Sequence, residues 1–384
     1  MTRAATTVAA PRQRPEAPPR AHDHSHWALV AQRFARHKAA VASAWVLAVL
    51  ATTALFAEVA APYPSDWREL SKAYCPPQTP RFDFRHGLHV PAVSAHVDPV
   101  TLQRIYVEDA SRAVPLGFFV KGQPYKLWGL IPWDRHLIGV DASRAHTGDG
   151  ETPALYLLGA DKYGRDVFSR VIYGARISLS VGLVGIAITF ILGLLIGGIS
   201  GYAGGFADNM IQRGMEVINA LPHLPLWLAL AAMMPHDWSP LKVYFAITLV
   251  LSLLGWTGLA RVVRGKLLAL REEDYAVAAR LMGAGHGRII FRHLLPGFTS
   301  HIIVALTLSV PGMILGETSL SFLGLGLRPP VVSWGVMLQD CMNMQAVTLY
   351  PWLLGPVLLI VVTVLSFNFL GDGLRDAADP YSRR

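Results

Sequence analysis

The chain has 384 residues, of which 52% are hydrophobic and only 16% charged, and its mean hydropathy is positive. That balance excludes a disordered chain and an ordinary soluble domain and points to an integral membrane protein. The net charge of +8 follows a loop bias described below, so it lends little support to nucleic-acid binding.

Residues 1–40 are rich in Pro, Arg and Ala and read as an N-terminal tail, disordered up to about His26. This polar stretch is too long for the leading region of a signal peptide, although Val59-Ala60-Ala61 resembles a cleavage site. The tract His22-Asp23-His24-Ser25-His26 reads first as a polar tail and second as a metal binder, and no metal site is assigned. A first apolar run, 41–61, is long enough to cross a bilayer.

Residues 62–177 form an insertion with many prolines and aromatics, predicted as a small mixed outer subdomain. The stretches 116–120 and 125–130 flank Lys121-Gly122-Gln123-Pro124, which predicts two short strands around a turn. A second turn-rich stretch, 141–152, carries Gly148 and Gly150. The segment reads as a docking surface for a soluble protein, a structural cap, or a contact with another membrane chain. Asp161, Gly164, Arg165 and Asp166 precede the next span, where a Gly turn and paired charges fix its entry as an interfacial cap. Cys75 and Cys341 are the two cysteines. An oxidising compartment permits a disulfide between them, with two unpaired thiols as the plainer reading.

Further spans are predicted at 178–200, 215–234, 243–260, 301–323 and 352–370, six in all. Pro222 and Pro225 interrupt the third, which neighbouring helices can tolerate. The second is dense in glycine (Gly182, Gly185, Gly193, Gly197, Gly198, Gly201), a pattern for close helix packing more than for pore lining. The core therefore covers 178–370, with a C-terminal tail at 371–384. With the N-terminus inside, Lys and Arg number seven in 1–40, seven in 261–292 and three after Gly371, against two in the short outer loops. The bias places both termini and the 261–297 loop in the cytoplasm.

That loop contains EEDYAVAARLMGAGHGRIIFRHLLPG. It reads as a helix over 272–296 whose acidic start (Glu272, Glu273, Asp274) and basic end (Arg288, Arg292) match the helix dipole. Ala279 and Gly283, spaced i,i+4 beside Tyr275, Ala278 and Met282, predict a face of small residues that another protein can approach. In the fifth span lies Glu317, which on insertion scales costs about 3 kcal/mol if it faces lipid. It therefore lines a path for cationic cargo groups, or is satisfied by neighbouring helices or outer water. Pro311 and Gly312 are a point where this helix can bend during gating. Asn368, near the end of the sixth span, reads as a helix–helix hydrogen bond.

The loop resembles the cytoplasmic EAA loop of ABC importer permeases, with Ala278, Ala279, Gly283, Leu295 and Pro296 at matching spacing. Val277 replaces the Glu of that pattern and His293 its Ile. Both departures resemble the peptide-importer branch, in which EDYxxAAR and RHxLP are usual, and no salt bridge of the wider family carries over. Three more stretches match that branch in order: 157–183, 319–338 and 367–380. The family resembled is the second permease subunit of oligopeptide, dipeptide and nickel ABC importers. The resemblance implies an all-α membrane core of about six spans, in which two permease chains face each other across a pore. It implies a homologous second permease, two ATP-binding cassette subunits that carry the ATP and Mg, and an extracytoplasmic substrate-binding protein. The coupling residues it implies are Glu273, Asp274, Tyr275, Ala278, Ala279, Arg280, Gly283, Arg288, Leu295 and Pro296. The setting it implies is the inner membrane of a bacterium.

No phosphate-binding GxxxxGK[ST] loop is present, since Gly265-Lys266 is followed by Leu267 and preceded at the required spacing by Ala260. There is also no HExxH, no GxSxG and no cysteine pair with metal-ligand spacing. The chain is expected to be a transport subunit without covalent chemistry or its own cofactor. Two alternatives stand beside peptide import: a non-peptide cargo such as an oligosaccharide, nickel or another metal chelate, and a secondary transporter driven by an ion gradient. The second would require more ionisable residues within the spans and no docking loop.

Overall fold

The computed structural model describes residues 26–84, 86–100, 104–141, 143–144, 153–235 and 237–378. Of the His22–His26 tract, only the backbone of His26 is included, and most of 141–152 lies outside the described residues. Helix α1 (His26–Arg36) meets α2 (Lys38–Leu55) at His37, whose ring accepts from Ala40 N at 3.1 Å and caps α2. The tail is thus helical from 26 onward, and α2 begins ahead of the expected 41. The first apolar run breaks at Phe56 (φ −103, ψ 37) and ends as the short α3 (Ala57–Ala60).

The insertion carries a four-stranded antiparallel sheet in chain order: β1 (Arg81–Asp83), β2 (Gly87–Val97), β3 (Arg104–Leu127) and β4 (Ile131–Val140). The expected hairpin turn at Lys121-Gly122-Gln123-Pro124 is not one. Both flanks belong to β3 and pair with the same partner, Lys121 with Arg135 and Tyr125 with Trp133, across a register shift. Gly and Pro also mark bulges, where an unpaired residue costs no ladder bond. Local composition does not separate the two cases. The true reversal is Trp128-Gly129-Leu130, with Trp128 at φ 51 and Gly129 at φ 74. Small apolar clusters around Val90, Leu116 and Leu155, and around Cys75, Val93 and Tyr156, hold the sheet to the chain leading into the next helix.

Helix α4 (Val167–Ala203) has 37 residues and so spans about 55 Å, well beyond the roughly 30 Å hydrocarbon core. It packs on α7 (Pro240–Leu270) through its glycines. A Cβ on Gly197 would lie 2.5 Å from Ala260 O, and one on Gly201 2.9 Å from Arg264 Cα, so the two backbones touch only because these side chains are absent. Gly182 and Gly185 face side chains instead, those of Val310 and Ile314 and of Ser252 and Met313, no nearer than 3.3 Å to an added Cβ, while Gly198 faces open space.

The pairs Gly185–Ser252, Gly193–Leu259 and Gly201–Arg264 advance together, so α4 and α7 run in the same direction. The chain between them must therefore cross back. It does so as α5 (Gly205–Ala220) and α6 (His223–Ala232), bent by 84°. The expected straight span over 215–234 is thus replaced by a broken one. Leu221 is held extended (φ −86, ψ 135) ahead of Pro222, as a residue before proline prefers. Among the described residues five helices are long and apolar enough to span, or six if the bent pair counts as one span.

After α7 come α8 (Asp274–Leu281), α9 (His286–Arg288) and a π-helical turn (Ile289–Leu294) leading into α10 (Leu295–Phe322). The irregularity in α10 falls at Phe298 (φ −130, ψ 15), and the helix runs unbroken through Pro311 and Gly312. Helices α11 (Trp334–Leu338) and α12 (Met344–Leu349) form a short cap at the sheet end, and α13 (Gly355–Ala378) returns across the bundle. The permitted disulfide is absent. Cys75 is buried beside Val93 and Tyr156, Cys341 packs with Trp334 and Leu359, and both thiols are free. They sit in separate apolar clusters that no cross-link joins.

Candidate functional site

Two places concentrate the expected functional residues: the 271–298 segment, at the bundle end opposite the sheet, and the carboxylate in α10. The segment is not one helix over 272–296. Helix α8 closes at Leu281 with Gly283 at φ +81, Ala284 N donating to Ala279 O and Gly283 N to Arg280 O, both at 3.0 Å. This is a Schellman cap, whose left-handed position favours glycine. Gly283 therefore serves the turn that ends α8, and it stands exposed beside Met282.

The burial of α8 corrects the face assignment as well. Ala276 and Ala279 are buried against Leu267, Ile289, Leu294 and Phe298, whereas Tyr275, Val277, Ala278, Arg280, Leu281 and Met282 are exposed. Small residues are needed on the inner side, where α8 lies close to the ends of α7 and α10. The outer side presents large apolar groups. Glu273 and Asp274 stand at the N-terminus of α8 as the dipole favours, but its basic last turn is Arg280. Arg288 and Arg292 belong to the elements that follow. Leu295 is half-buried and Pro296 is exposed in the first turn of α10. The exposed Tyr275 has its phenol pKa raised, chiefly by partial burial and then by Glu273.

Beside α8 opens a cleft of about 690 Å³ between it and the end of α4, lined by Leu195, Ile199, Tyr202, Arg271, Arg280 and Phe291 among others. One helical turn away, Arg264 of α7 donates from Nε and Nη2 to both oxygens of Asp208 in α5, each at 2.6 Å. Ser200 of α4 donates to the same carboxylate, and Gln212 donates to Ser200 Oγ at 3.1 Å. This latch joins three helices at the base of the bundle. Sequence reasoning missed it because Asp208 and Arg264 are 56 residues apart and form no motif. The one local signal was a carboxylate in the first turn after Gly204-Gly205.

Glu317 is completely buried. Its Oε1 accepts from Ser321 and Ser333, each at 2.8 Å, and its Oε2 from Ser178 at 3.1 Å. The serines relay onward, since Ser178 Oγ accepts from Trp334 N, Ser321 Oγ from Leu327 N and Ser333 Oγ from Val336 N. Of the sequence alternatives, the surroundings match a carboxylate satisfied by neighbouring elements. It ties α4, α10 and α11 together at the sheet end. Pro311 is buried, and Gly312 lies on the exposed side of α10.

The expected entry cap of α4 is fully formed. Asp161 accepts from Arg165 Nε at 2.7 Å and Arg170 Nη1 at 2.6 Å, and Asp166 caps the helix through Ser169 N at 2.7 Å. Gly164 (φ +71) leaves no room for a side chain, because a Cβ there would overlap Glu69 O at 1.9 Å. Lys162 reaches Asp340 at 2.9 Å, and hydrogen bonding to that carboxylate raises the Lys162 pKa. Among the described residues there is no cluster of metal-ligating side chains.

A bundle of long apolar helices with a half-exposed segment at one end defines a multi-pass membrane protein. The comparisons agree. Residues 193–384, half of the chain, match the family described as binding-protein-dependent transport system inner membrane component, and residues 25–77 match the N-terminal TM domain of oligopeptide transport permease C. The chain belongs to the first of these families. It is 42% identical over 228 residues to the dipeptide transport system permease protein DppC of Bacillus subtilis (strain 168), covering 59% of this chain and 69% of that one. To the oligopeptide transport system permease protein OppC of the same organism it is 39% identical over 227 residues, 59% and 72% of the two chains. To the glutathione transport system permease protein GsiD of Pectobacterium atrosepticum it is 38% identical over 271 residues, 70% and 86%. The sheet lies within 78–192, outside both family matches.

Proposed function

We propose that the chain forms half of the translocation pore of an ATP-driven peptide importer and takes up the force of ATP hydrolysis through α8. The observation that carries this reading is the outward apolar side of α8: Tyr275, Val277, Leu281 and Met282 stand exposed on a helix whose other side is locked into the bundle. A rigidly seated helix with an uncovered apolar side passes displacement from a docked partner to α4, α7 and α10. The sequence has no phosphate-binding loop, so ATP and Mg belong to two docked cassette subunits. A homologous second permease completes the pore, and an extracytoplasmic binding protein delivers cargo. Peptide cargo is supported by the relatives, which are named for dipeptides, oligopeptides and glutathione. The Lys and Arg bias supports a cytoplasmic position for α8 and both termini in a bacterial inner-membrane protein. The test is purification of the tagged chain in mild detergent with mass spectrometry of what accompanies it. A cassette ATPase and a second permease are expected, and a chain that transports peptides in liposomes without an ATPase would overturn the proposal.

A further inference from the structure

The β3–β4 hairpin leaves an apolar surface uncovered. At its tip Leu130 is 79% exposed, and Trp128, Ile131 and Trp133 about half. Lys126 and Arg135 are exposed among them. Large apolar side chains exposed together at a hairpin tip are costly in water, and Trp and other apolar groups with basic residues beside them are the makeup of protein surfaces at a bilayer interface. The nearby Asp134 is paired with Lys121 at 3.4 Å.

The position of the tip is fixed by the bundle. Trp128 Nε1 donates to Leu55 O at 2.8 Å, and the Trp128 ring lies 5.5 Å from that of Phe56. Leu55 is the last residue of α2, whose 18 residues rise about 27 Å, close to the hydrocarbon thickness. The outward side of α2 carries exposed Trp45, Val49 and Leu55, as lipid-facing helices do. The hairpin tip therefore stands at the level where α2 leaves the hydrocarbon, and its apolar surface continues that of α2. Beneath Trp128 lies an open groove of about 590 Å³ between α2 and α4, lined by Leu47, Ala51, Leu179, Leu183 and Phe367, with the Glu58–Arg176 ion pair at its rim.

We infer that this hairpin is a membrane anchor: its tip inserts among the headgroups of the outer-leaflet phospholipids, and the groove beneath Trp128 receives an acyl chain. Trp128 and Trp133 sit at headgroup depth, Leu130 and Ile131 reach the upper acyl chains, and Lys126 and Arg135 face lipid phosphates. The sheet is thereby held at a fixed tilt over the bundle. The outer-leaflet assignment rests on the orientation proposed above.

The test uses the assembled complex in lipid nanodiscs, with an environment-sensitive fluorophore on Leu130→Cys or on Val107→Cys, the latter near the far end of β3. The parent complex, labelled in parallel, gives the background. The expected result is blue-shifted emission from the Leu130→Cys label and loss of most of its fluorescence when the lipids carry a nitroxide high on the acyl chain, with neither effect for Val107→Cys. A blue shift without quenching by lipid nitroxide would mean that a protein covers the tip and would overturn the anchor. Emission as in water at both sites would overturn it equally. In intact cells stripped of outer membrane, an impermeant thiol reagent should reach Val107→Cys. Failure there, with lipid quenching of Leu130→Cys intact, would overturn the orientation and the leaflet assignment while leaving the bilayer contact in place.

Discussion

Replacing Leu281 and Met282 together by Ser should detach the cassette ATPase proposed to dock on α8, without harming the chain itself. The two side chains are 83% and 81% exposed and make little contact within the protein, so their loss should change its own stability by no more than about 0.5 kcal/mol each. Ser is preferred to Asp because a carboxylate at the C-terminus of α8 would oppose the dipole. A partner that covers both gains about 1.5–3 kcal/mol for each large apolar side chain, about 3–6 kcal/mol together. Each 1.4 kcal/mol is tenfold in affinity, so binding should weaken by about two to four orders of magnitude. The assay is ATPase retention on the purified permease pair together with peptide uptake in proteoliposomes, with the melting temperature as the control for folding. Ala279→Glu is the contrast. It places a carboxylate in the buried cluster with Ile289 and Phe298 and should lower the melting temperature, because an unpaired buried charge costs several kcal/mol. Full ATPase retention by the double Ser variant would refute the assignment of this face.

Gly164→Ala should destabilise the chain by more than the roughly 1–2 kcal/mol of a left-handed backbone alone, since the new Cβ meets the Glu69 carbonyl; thermal melting checks it. Glu317→Leu should lose about 1–3 kcal/mol for each serine hydroxyl stranded without an acceptor, whereas Glu317→Gln, which keeps an acceptor oxygen, should retain most peptide uptake. Selective loss of transport in a stable Glu317→Gln chain would show that the charge itself serves the cargo path. Burial pushes the Asp166 pKa up to about 7, against the pull of its hydrogen bonds from Ser169. The folded chain then holds a proton that the unfolded chain releases near pH 4, so stability should fall as pH rises from about 4 to 7. Asp166→Asn should flatten melting temperature against pH across that window, and an unchanged slope would refute this protonation.

Some of this was legible from residue patterns because the causes are local. Long apolar runs must become spans in a solvent that cannot satisfy backbone groups, and Asp161-Lys162-Tyr163-Gly164-Arg165-Asp166 carries its turn and its cap within a few residues. Gly197 and Gly201 announced close packing by spacing alone. The 271–298 segment shows the limit of such reading. Its small residues were visible, but Gly283 ends a helix and Ala279 faces inward, and neither role follows from spacing until Ile289 and Phe298 are known to pack beneath.

By itself the sequence determined that the chain crosses a membrane, roughly where it crosses, and which family it resembles, because hydropathy and short motifs are properties of contiguous residues. Tertiary structure alone decided which side of α8 is free, that Glu317 is enclosed by serines from three separate segments, and that Asp208 meets Arg264. It also decided that one long strand carries the aromatic tip back to Leu55. Each of these depends on groups far apart in the chain, whose meeting is set by how whole helices and strands pack and not by any local preference.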